Sequence, residues 1–352
     1  MRSPALFIAF VCTSLLAPAA RAQPPWPVSL QAEVTREARK FKGEICIYVK
    51  ELSTGIRYTH NAATPVYLAS GIKIMVLITV FEEIAQDRLE WAEELSFEKE
   101  DIRDGAYKLL PRQVGKQFSV EELVGMMMEK SDNAATDLLI KRVGIQAVNA
   151  AVQKYGGPEF CWITSLLDVR RNIYEHIDQR AALLTNLQIA ELAKKRPLSR
   201  RARHLGKLIG EKKKKYTSRD LWKAFQAYYH SGLNSAPLDA IGQLLEKLER
   251  GEVVSPEASR EMLEIMKRCQ TGKRRIRAGL PKNVVLAHKT GTQLKRICDL
   301  GIMYMPDEEP VVFAICMKDF PSRRKAEALV ARLAKKAADL LLPLHPEPEP
   351  VK

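Results

Sequence analysis

The sequence lacks the patterns of a metal site, a membrane span or a disulfide framework. Its six histidines are scattered, and none stands at zinc-ligand spacing from a cysteine, so we expect no metal. No apolar run reaches the roughly 20 residues that cross a bilayer, which argues against a transmembrane segment. Five cysteines follow the N-terminal region at wide spacing: Cys46, Cys161, Cys269, Cys298 and Cys316. An odd number of cysteines at wide spacing does not indicate a disulfide framework, although one pair could form in an oxidising compartment.

The cysteines in strand-like runs, Cys46, Cys298 and Cys316, are expected to be buried thiols. The first 22 residues, in contrast, have the pattern of a secretory signal. Arg2 precedes an apolar run, and a small-x-small site ends at Ala22. The pattern predicts cleavage before Gln23 and a periplasmic or secreted protein of about 330 residues, near the size at which a chain divides into two lobes.

Acidic residues are in deficit, with 42 Asp and Glu against 56 Lys and Arg, for a net charge of +14. Much of the excess lies in four runs, at residues 194–196, 200–203, 212–215 and 273–277. Such runs are usually solvated faces. Because an exported protein rarely meets nucleic acid, we expect no nucleic-acid partner. An anionic envelope surface or an acidic substrate is the more specific expectation, and we expect a monomer.

Strand patterns stand at the two ends of the chain, with helical patterns between them. A helix over 28–41 precedes strands at 44–50 and 56–60, and three strands return at 284–289, 297–304 and 310–317 before a helix at 325–342. We predict an α/β (α+β) fold, in which one five-stranded antiparallel sheet is flanked by the first and last helices. Residues 28–66 and 258–342 would form the sheet domain, residues 67–257 an inserted helical domain, and residues 343–352 a disordered Pro-rich tail.

A hydroxyl and an amine stand three residues apart at the start of an almost wholly apolar segment, residues 67–80. On a helix, Ser70 and Lys73 share a face, so a buried Lys73 could act as base for a Ser70 nucleophile. Alternatively, Lys73 extends its amine into water. The same spacing recurs at Ser96 with Lys99 and at Ser322 with Lys325, but neither lies in an apolar helix that would desolvate the amine.

A second candidate is Ser131-Asp132-Asn133, in a short connection between helical runs. Ser131 and Asn133 could both point into a cleft between the two lobes, while Asp132 caps the following helix. The alternative is that the trio is only a helix cap.

The third candidate is Lys289-Thr290-Gly291-Thr292, at the end of a strand-like run. Lys289 and Thr290 could bind a substrate carboxylate, and Gly291 would let a ligand lie along the strand. The N–H groups of Thr292 and Ser70 could form an oxyanion hole. The alternative is an edge strand with a protective lysine and a glycine kink.

Together and in this order, the three motifs resemble those of the class A β-lactamases and penicillin-binding proteins, over residues 28–342. The resemblance implies that Ser70 is the acylated nucleophile, that Lys73 assists its deprotonation and that Ser131 relays a proton to the leaving nitrogen. It also implies that Asn133 holds the amide side chain of the substrate, and that the carboxylate and carbonyl are bound by Lys289, Thr290 and Thr292. No metal or organic cofactor is implied.

The sequence departs from that family in two places. The expected deacylating glutamate has no clean match in residues 167–179, where Glu175, with Gln179 four residues on, is the best candidate and a solvated helix residue the alternative. An extra basic, helical segment spans about 181–234. Three functions therefore stay open: a β-lactamase conferring antibiotic resistance, an acyl-transfer enzyme on cell-wall peptides or another amide or ester, and a slowly acylated envelope-binding protein.

Overall fold

The computed structural model describes residues 25–212 and 215–346. The expected signal, residues 1–22, lies outside the described residues. The α-helices are α1 (Trp26–Lys40), α2 (Lys73–Ala85), α3 (Val120–Glu129), α4 (Asn133–Val143), α5 (Ile145–Ala151), α6 (Leu166–Glu175), α7 (Asn186–Lys194), α8 (Leu198–Leu208), α9 (Ser218–His230), α10 (Leu238–Glu249), α11 (Pro256–Lys267), α12 (Ile276–Gly279) and α13 (Arg323–Leu341). None of these helices has the length and apolarity needed to cross a membrane.

The strands are β1 (Glu44–Glu51), β2 (Arg57–His60), β3 (Val66–Tyr67), β4 (Glu94–Ser96), β5 (Gln117–Ser119), β6 (Ser235–Ala236), β7 (Val285–Gln293), β8 (Arg296–Tyr304) and β9 (Pro310–Lys318). Five of them form one antiparallel sheet in the order β2-β1-β9-β8-β7, which confirms the predicted sheet. Two further sheets have two short strands each, β3 with β6 and β4 with β5.

Alternation along β1 divides the core between the two faces of the sheet. Ile45, Ile47 and Val49 pack against α1 and α13, as the first and last helices were predicted to do. Cys46 and Tyr48 face the opposite way and join the core that contains α2. Because side chains alternate along a strand, this pattern puts a helical layer on both sides of the sheet.

Strand β7 is longer than its sequence pattern predicted. It pairs with β8 as far as Gln293 opposite Arg296, so the turn falls at residues 294–295. Gly291 therefore lies inside the strand, and the predicted strand end at residue 289 is wrong. The reason is that backbone pairing with β8 continues past the end of the apolar run.

The cysteines and the tail correct two further expectations. Cys298 and Cys316 form a disulfide, because β8 and β9 place them directly opposite each other. Cys46 is a buried thiol as expected, and burial raises its pKa to about 11. Of the tail, residues 343–346 are ordered: a 3₁₀ turn spans Leu342–Leu344, and the His345 ring contacts two carboxylates. Residues 347–352 lie outside the described residues.

The basic segment 181–234 folds as α7, α8 and α9 around a third hydrophobic cluster, which it shares with α6 and the end of β3. Leu192, Leu205 and Phe225 are buried together with Ile173 of α6. Tyr67, which ends β3 just before Ser70, belongs to the same cluster. The segment is therefore packed directly against the part of the chain that carries the first candidate motif.

Strand β7, at one edge of the sheet, lies against the turn that carries Ser70. That turn is a 3₁₀ helix, Ala69–Ile72, leading into α2. A Cβ added to Gly291 would lie 2.0 Å from the Leu68 carbonyl oxygen. Only glycine permits this approach, so the Lys289 strand and the Ser70 turn are immediate neighbours.

Gly291→Ala should lower the free energy of unfolding by about 1–3 kcal/mol, because overpacking against a backbone carbonyl forces β7 and the turn apart. Chemical denaturation followed by circular dichroism measures the effect. Gly125→Ala, in α3, is the matched control, since no described atom other than its chain neighbours and its own helix backbone lies within 4 Å of the added Cβ. Equal stability of the two variants would contradict this reading of the contact.

Candidate active site

Residues with strained backbone conformations lie at both candidate serines. Ala69, immediately before Ser70, has φ 51°, and Ser131 has φ 58°. Residues with a side chain rarely adopt this left-handed conformation, which costs about 1–3 kcal/mol and clusters at functional sites. Both serines are half-buried and line the same cleft of about 1000 Å³.

The Lys73 amine is fully buried and lies among oxygens of the second motif. It donates hydrogen bonds to the Ser131 carbonyl at 2.8 Å and to the Asn133 Oδ1 at 2.9 Å. Longer contacts of 3.3 Å reach the Ser131 Oγ and the Asp132 carbonyl. Lys73 therefore does not extend into water. Lys73 follows Ser70 by three positions, the spacing that places two side chains on one helix face. Within the described chain, however, no hydrogen bond joins the Lys73 amine to the Ser70 Oγ.

The Lys289 amine is equally buried and donates to the same hydroxyl oxygen, Ser131 Oγ, at 2.9 Å. Ser131 thus links the first and third motifs. Burial lowers the pKa of Lys289 to about 8; Cys269 and Asp299 oppose that shift, and Arg275 adds to it.

The pKa of Lys73 is lowered well below its usual range. Burial is the largest cause and the Lys289 charge the next, while Asp132 and Asp137 act in the opposite direction. Two cations so close in a desolvated site oppose each other's protonation. Both causes favour the neutral form of the Lys73 amine, which can accept a proton.

Asp132 is the N-cap of α4, as predicted, and it also holds a second segment. Its Oδ1 accepts hydrogen bonds from the backbone N–H groups of Ala134 and Ala135. Its Oδ2 accepts from the N–H groups of residues 107, 108 and 109, at 2.7, 2.7 and 3.2 Å. The loop over 104–109 is therefore fixed beside Asn133, whose Nδ2 donates to the Asp104 carbonyl.

The third motif is supported by residues that sequence reasoning missed. Thr290 shares a 2.5 Å hydrogen bond with the Thr271 hydroxyl. Arg275 donates to the Thr292 Oγ1 at 2.6 Å and to the Gly291 carbonyl at 2.8 Å. Arg275 belongs to a run expected to be a solvated face, yet it is 1% exposed. That expectation is wrong here because Glu327, 52 residues on, supplies a buried counter-charge at 3.2 Å.

Glu175, the candidate deacylating residue, is half-buried at the end of α6 and does not line the cleft. The same helix presents Arg170 to the cleft instead, paired with Asp104 at 2.6 Å. Five residues turn a helix by about 140°, so these two side chains leave α6 in different directions. Within the described chain, Asp104 is the only carboxylate residue that lines the cleft.

The other two Ser-x-x-Lys sites lie outside this cleft. Ser96 is in β4, and Ser322 is the N-cap of α13, where its hydroxyl accepts the N–H of Lys325. Residues 25–212 and 215–346 contain no group of three or more histidine, cysteine, aspartate or glutamate side chains that could hold a metal ion.

Asp132→Asn should lower the free energy of unfolding by about 2–4 kcal/mol, because one amide oxygen cannot replace two carboxylate oxygens that accept five N–H groups. Denaturant titration gives the value. Asp168→Asn, at the third residue of α6, is the control, because the described Asp168 carboxylate accepts only from the hydroxyl of the N-cap Ser165 and a small loss is expected. A loss no larger than that of the control would contradict the assigned role.

The sequence model of the beta-lactamase enzyme family matches residues 29–341. A beta-lactamase of Amycolatopsis lactamdurans is 21% identical over 337 residues, which cover 92% of this chain and 89% of that protein. The extended-spectrum beta-lactamase PER-1 of Pseudomonas aeruginosa is 32% identical over 111 residues, 30% of this chain and 36% of that protein.

Among solved structures, PBP-A superimposes with a TM-score of 0.67 at 20% identity, covering 90% of this chain and 97% of PBP-A. A class A beta-lactamase representing the last common ancestor of Gram-negative bacteria superimposes with a TM-score of 0.65 at 18% identity, covering 88% of this chain and 98% of that one. At these identities the structural likeness establishes the fold.

Proposed function

The chain belongs to the beta-lactamase enzyme family, and we propose that it is a serine hydrolase that opens β-lactam rings through an acyl-enzyme on Ser70. One observation carries the proposal: the Ser131 hydroxyl oxygen accepts a hydrogen bond from the Lys289 amine at 2.9 Å and lies 3.3 Å from the Lys73 amine, in the cleft that Ser70 lines. This arrangement supports proton transfer at the place where a ring nitrogen would leave.

Acylation would begin when Lys73 accepts the Ser70 proton and the Ser70 Oγ attacks the lactam carbonyl. A neutral amine has two N–H groups, which match the two short bonds to the Ser131 carbonyl and the Asn133 Oδ1. Its lone pair then stays available for the proton. As the ring C–N bond breaks, Ser131 would donate its proton to the nitrogen and regain one from Lys73.

Lys289 and Thr290 would bind the substrate carboxylate, with Asn133 on the side-chain amide. Arg275 and Thr271 support the strand that carries these groups through their bonds to Thr292 and Thr290. The N–H groups of Ser70 and Thr292 would stabilise the oxyanion. Gly291, held against the Ser70 turn, supports this role because it brings the two N–H groups onto neighbouring segments.

A second candidate function is acyl transfer on cell-wall peptides. It is favoured by the cleft lining, in which α6 presents Arg170 where a deacylating carboxylate would be expected. Acylation of Ser70 does not need that carboxylate, but fast hydrolysis of the acyl-enzyme does. The fold is shared with PBP-A as well as with beta-lactamases, so it does not distinguish the two functions.

We further propose export through the leader at residues 1–22, and a division of the chain into a sheet domain (28–66 and 258–342) and a helical domain (67–257). The Cys298–Cys316 disulfide supports an oxidising compartment. Opening of β-lactams in the envelope would give resistance to those antibiotics.

Benzylpenicillin should form a covalent adduct on Ser70 of the purified protein, measured by time-resolved mass spectrometry with peptide mapping. Ser70→Ala should form none, and Ser96→Ala, at the exposed copy of the motif, should react like the wild type. A transient adduct with continuing turnover supports the hydrolase, and a persistent adduct supports the second candidate. Absence of any adduct on the wild type would exclude both.

Affinity for benzylpenicillin in the Ser70→Ala variant should fall as the pH rises through about 8, because Lys289 then loses the charge that binds the carboxylate. One linked proton weakens binding by up to about tenfold per pH unit. Calorimetric titration across this range measures it. Adding Lys289→Arg should flatten the profile, since guanidinium stays charged; an unchanged profile would remove Lys289 from this role.

A further inference from the structure

The segment 181–234 forms one wall of the cleft that holds Ser70. Lys194, Arg196, Arg201 and Phe225 line the cleft from this segment. Counting every lining residue of the described chain, seven basic side chains face one carboxylate, Asp104. The cleft is therefore strongly cationic beyond the two buried lysines of the motifs.

Only part of this positive charge is balanced by the protein. Arg275 and Arg323 both pair with Glu327, and Arg170 pairs with Asp104. The remaining four form no ion pair in the described part of the chain: Lys194, Arg196, Arg201 and Lys295. Of these four, the Lys295 amine lies over the Trp222 ring, 4.3 Å from its centre. The described structure gives the other three, all from residues 194–201, neither an ion pair nor an aromatic ring as a partner.

These cations lie close to one another, and some are shielded from water. Arg201 is 7% exposed, and its hydrogen bonds go to the carbonyls of Ala193 and Lys195. Burial is the largest cause that lowers the pKa of Arg201; the charges of Arg170 and Arg196 add to it, while Tyr174 and the carboxylate of Asp104, which is already paired with Arg170, oppose it. The Arg170 Nη1 is buried without a hydrogen-bond partner. A buried cation without an anion is unfavourable, and a bound anion would relieve that cost.

The cluster is connected to the Asn133 side of the cleft. Arg170 is bound to Asp104, the Asp104 carbonyl accepts from Asn133, and Asn133 accepts from Lys73. In the proposed function Asn133 holds the amide that joins the acyl side chain to the ring. A group that extends from the acyl side chain of the substrate would therefore meet the cluster. It would be a different group from the substrate carboxylate that Lys289 binds.

We propose that Arg170, Lys194, Arg196 and Arg201 form an anion subsite for a carboxylate on the acyl side chain of the substrate. The inference rests on the proposed function and specifies its substrate class: acyl donors with two anionic groups. Such a carboxylate could belong to a β-lactam side chain or to an acidic residue of a cell-wall peptide, and the chemistry of recognition is the same.

Carbenicillin and benzylpenicillin test the inference, because they differ by one carboxylate on the benzyl side chain. The second-order rate constant for acylation of Ser70 should be about tenfold or more higher for carbenicillin, as expected for a charge-assisted contact. Arg196→Gln and Lys194→Gln should each remove most of this preference and leave the rate with benzylpenicillin nearly unchanged. Arg200→Gln is the matched control: Arg200 is exposed and directly precedes Arg201 but does not line the cleft, so this variant should keep the preference.

A second pair of probes distinguishes the two sources of the carboxylate: acyl-D-alanyl-D-alanine peptides with glutamate or glutamine in the acyl part, followed by release of D-alanine. A preference for the acidic probe that Arg196→Gln removes, in either pair, supports the subsite and names its source. If benzylpenicillin acylates Ser70 but neither acidic probe is preferred, or if Arg196→Gln keeps the preference, the subsite is wrong and the proposed function stands. If no penicillin acylates Ser70 and no peptide releases D-alanine, the proposed function fails and the subsite with it.

Discussion

Two buried amines that share one hydroxyl oxygen are the constraint on which the site depends. Lys73 and Lys289 both reach the Ser131 Oγ, and neither is exposed to water. In a desolvated pocket the repulsion between two ammonium groups is far stronger than in water, so full protonation of both is unfavourable. This coupling favours one neutral amine and one cation, which are the two states that the proposed proton transfer and anion binding require. Asp132, Gly291 and Arg275 hold the three segments at the distances that this coupling requires.

The fold and the motif residues could be read from the sequence because each depends on local patterns. Alternation gave the five strands, and the apolar run after Lys73 gave a helix buried on most sides. Asp132 could be identified as a helix cap because the side chain of an N-cap Asp accepts a backbone N–H only two or three residues further on. The order of the three motifs indicated a family resemblance that no single motif could indicate. The structure adds that the three motifs meet in one cleft.

The rest depended on contacts between distant residues. Arg275 lies in a basic run like the others, and nothing near it indicates the buried Glu327. Cys298 and Cys316 pair through strand register, which a sequence pattern leaves open. Glu175 had the expected separation from Gln179, but the direction in which a side chain leaves α6 depends on how that helix is packed. The sequence identified the segment 181–234 only as an extra basic, helical stretch, and its contribution to the cleft wall required the tertiary structure.

The contact between Gly291 and the Leu68 carbonyl has one more consequence, for the solubility of the folded chain. Strand β7 has nine residues and would otherwise present an unpaired sheet edge, the feature through which proteins join edge to edge into aggregates. The turn before Ser70 covers that edge at Gly291. Local opening of the turn would both separate the N–H groups proposed to form the oxyanion hole and expose an unpaired strand edge, so loss of the proposed activity and self-association of this protein would share one structural origin.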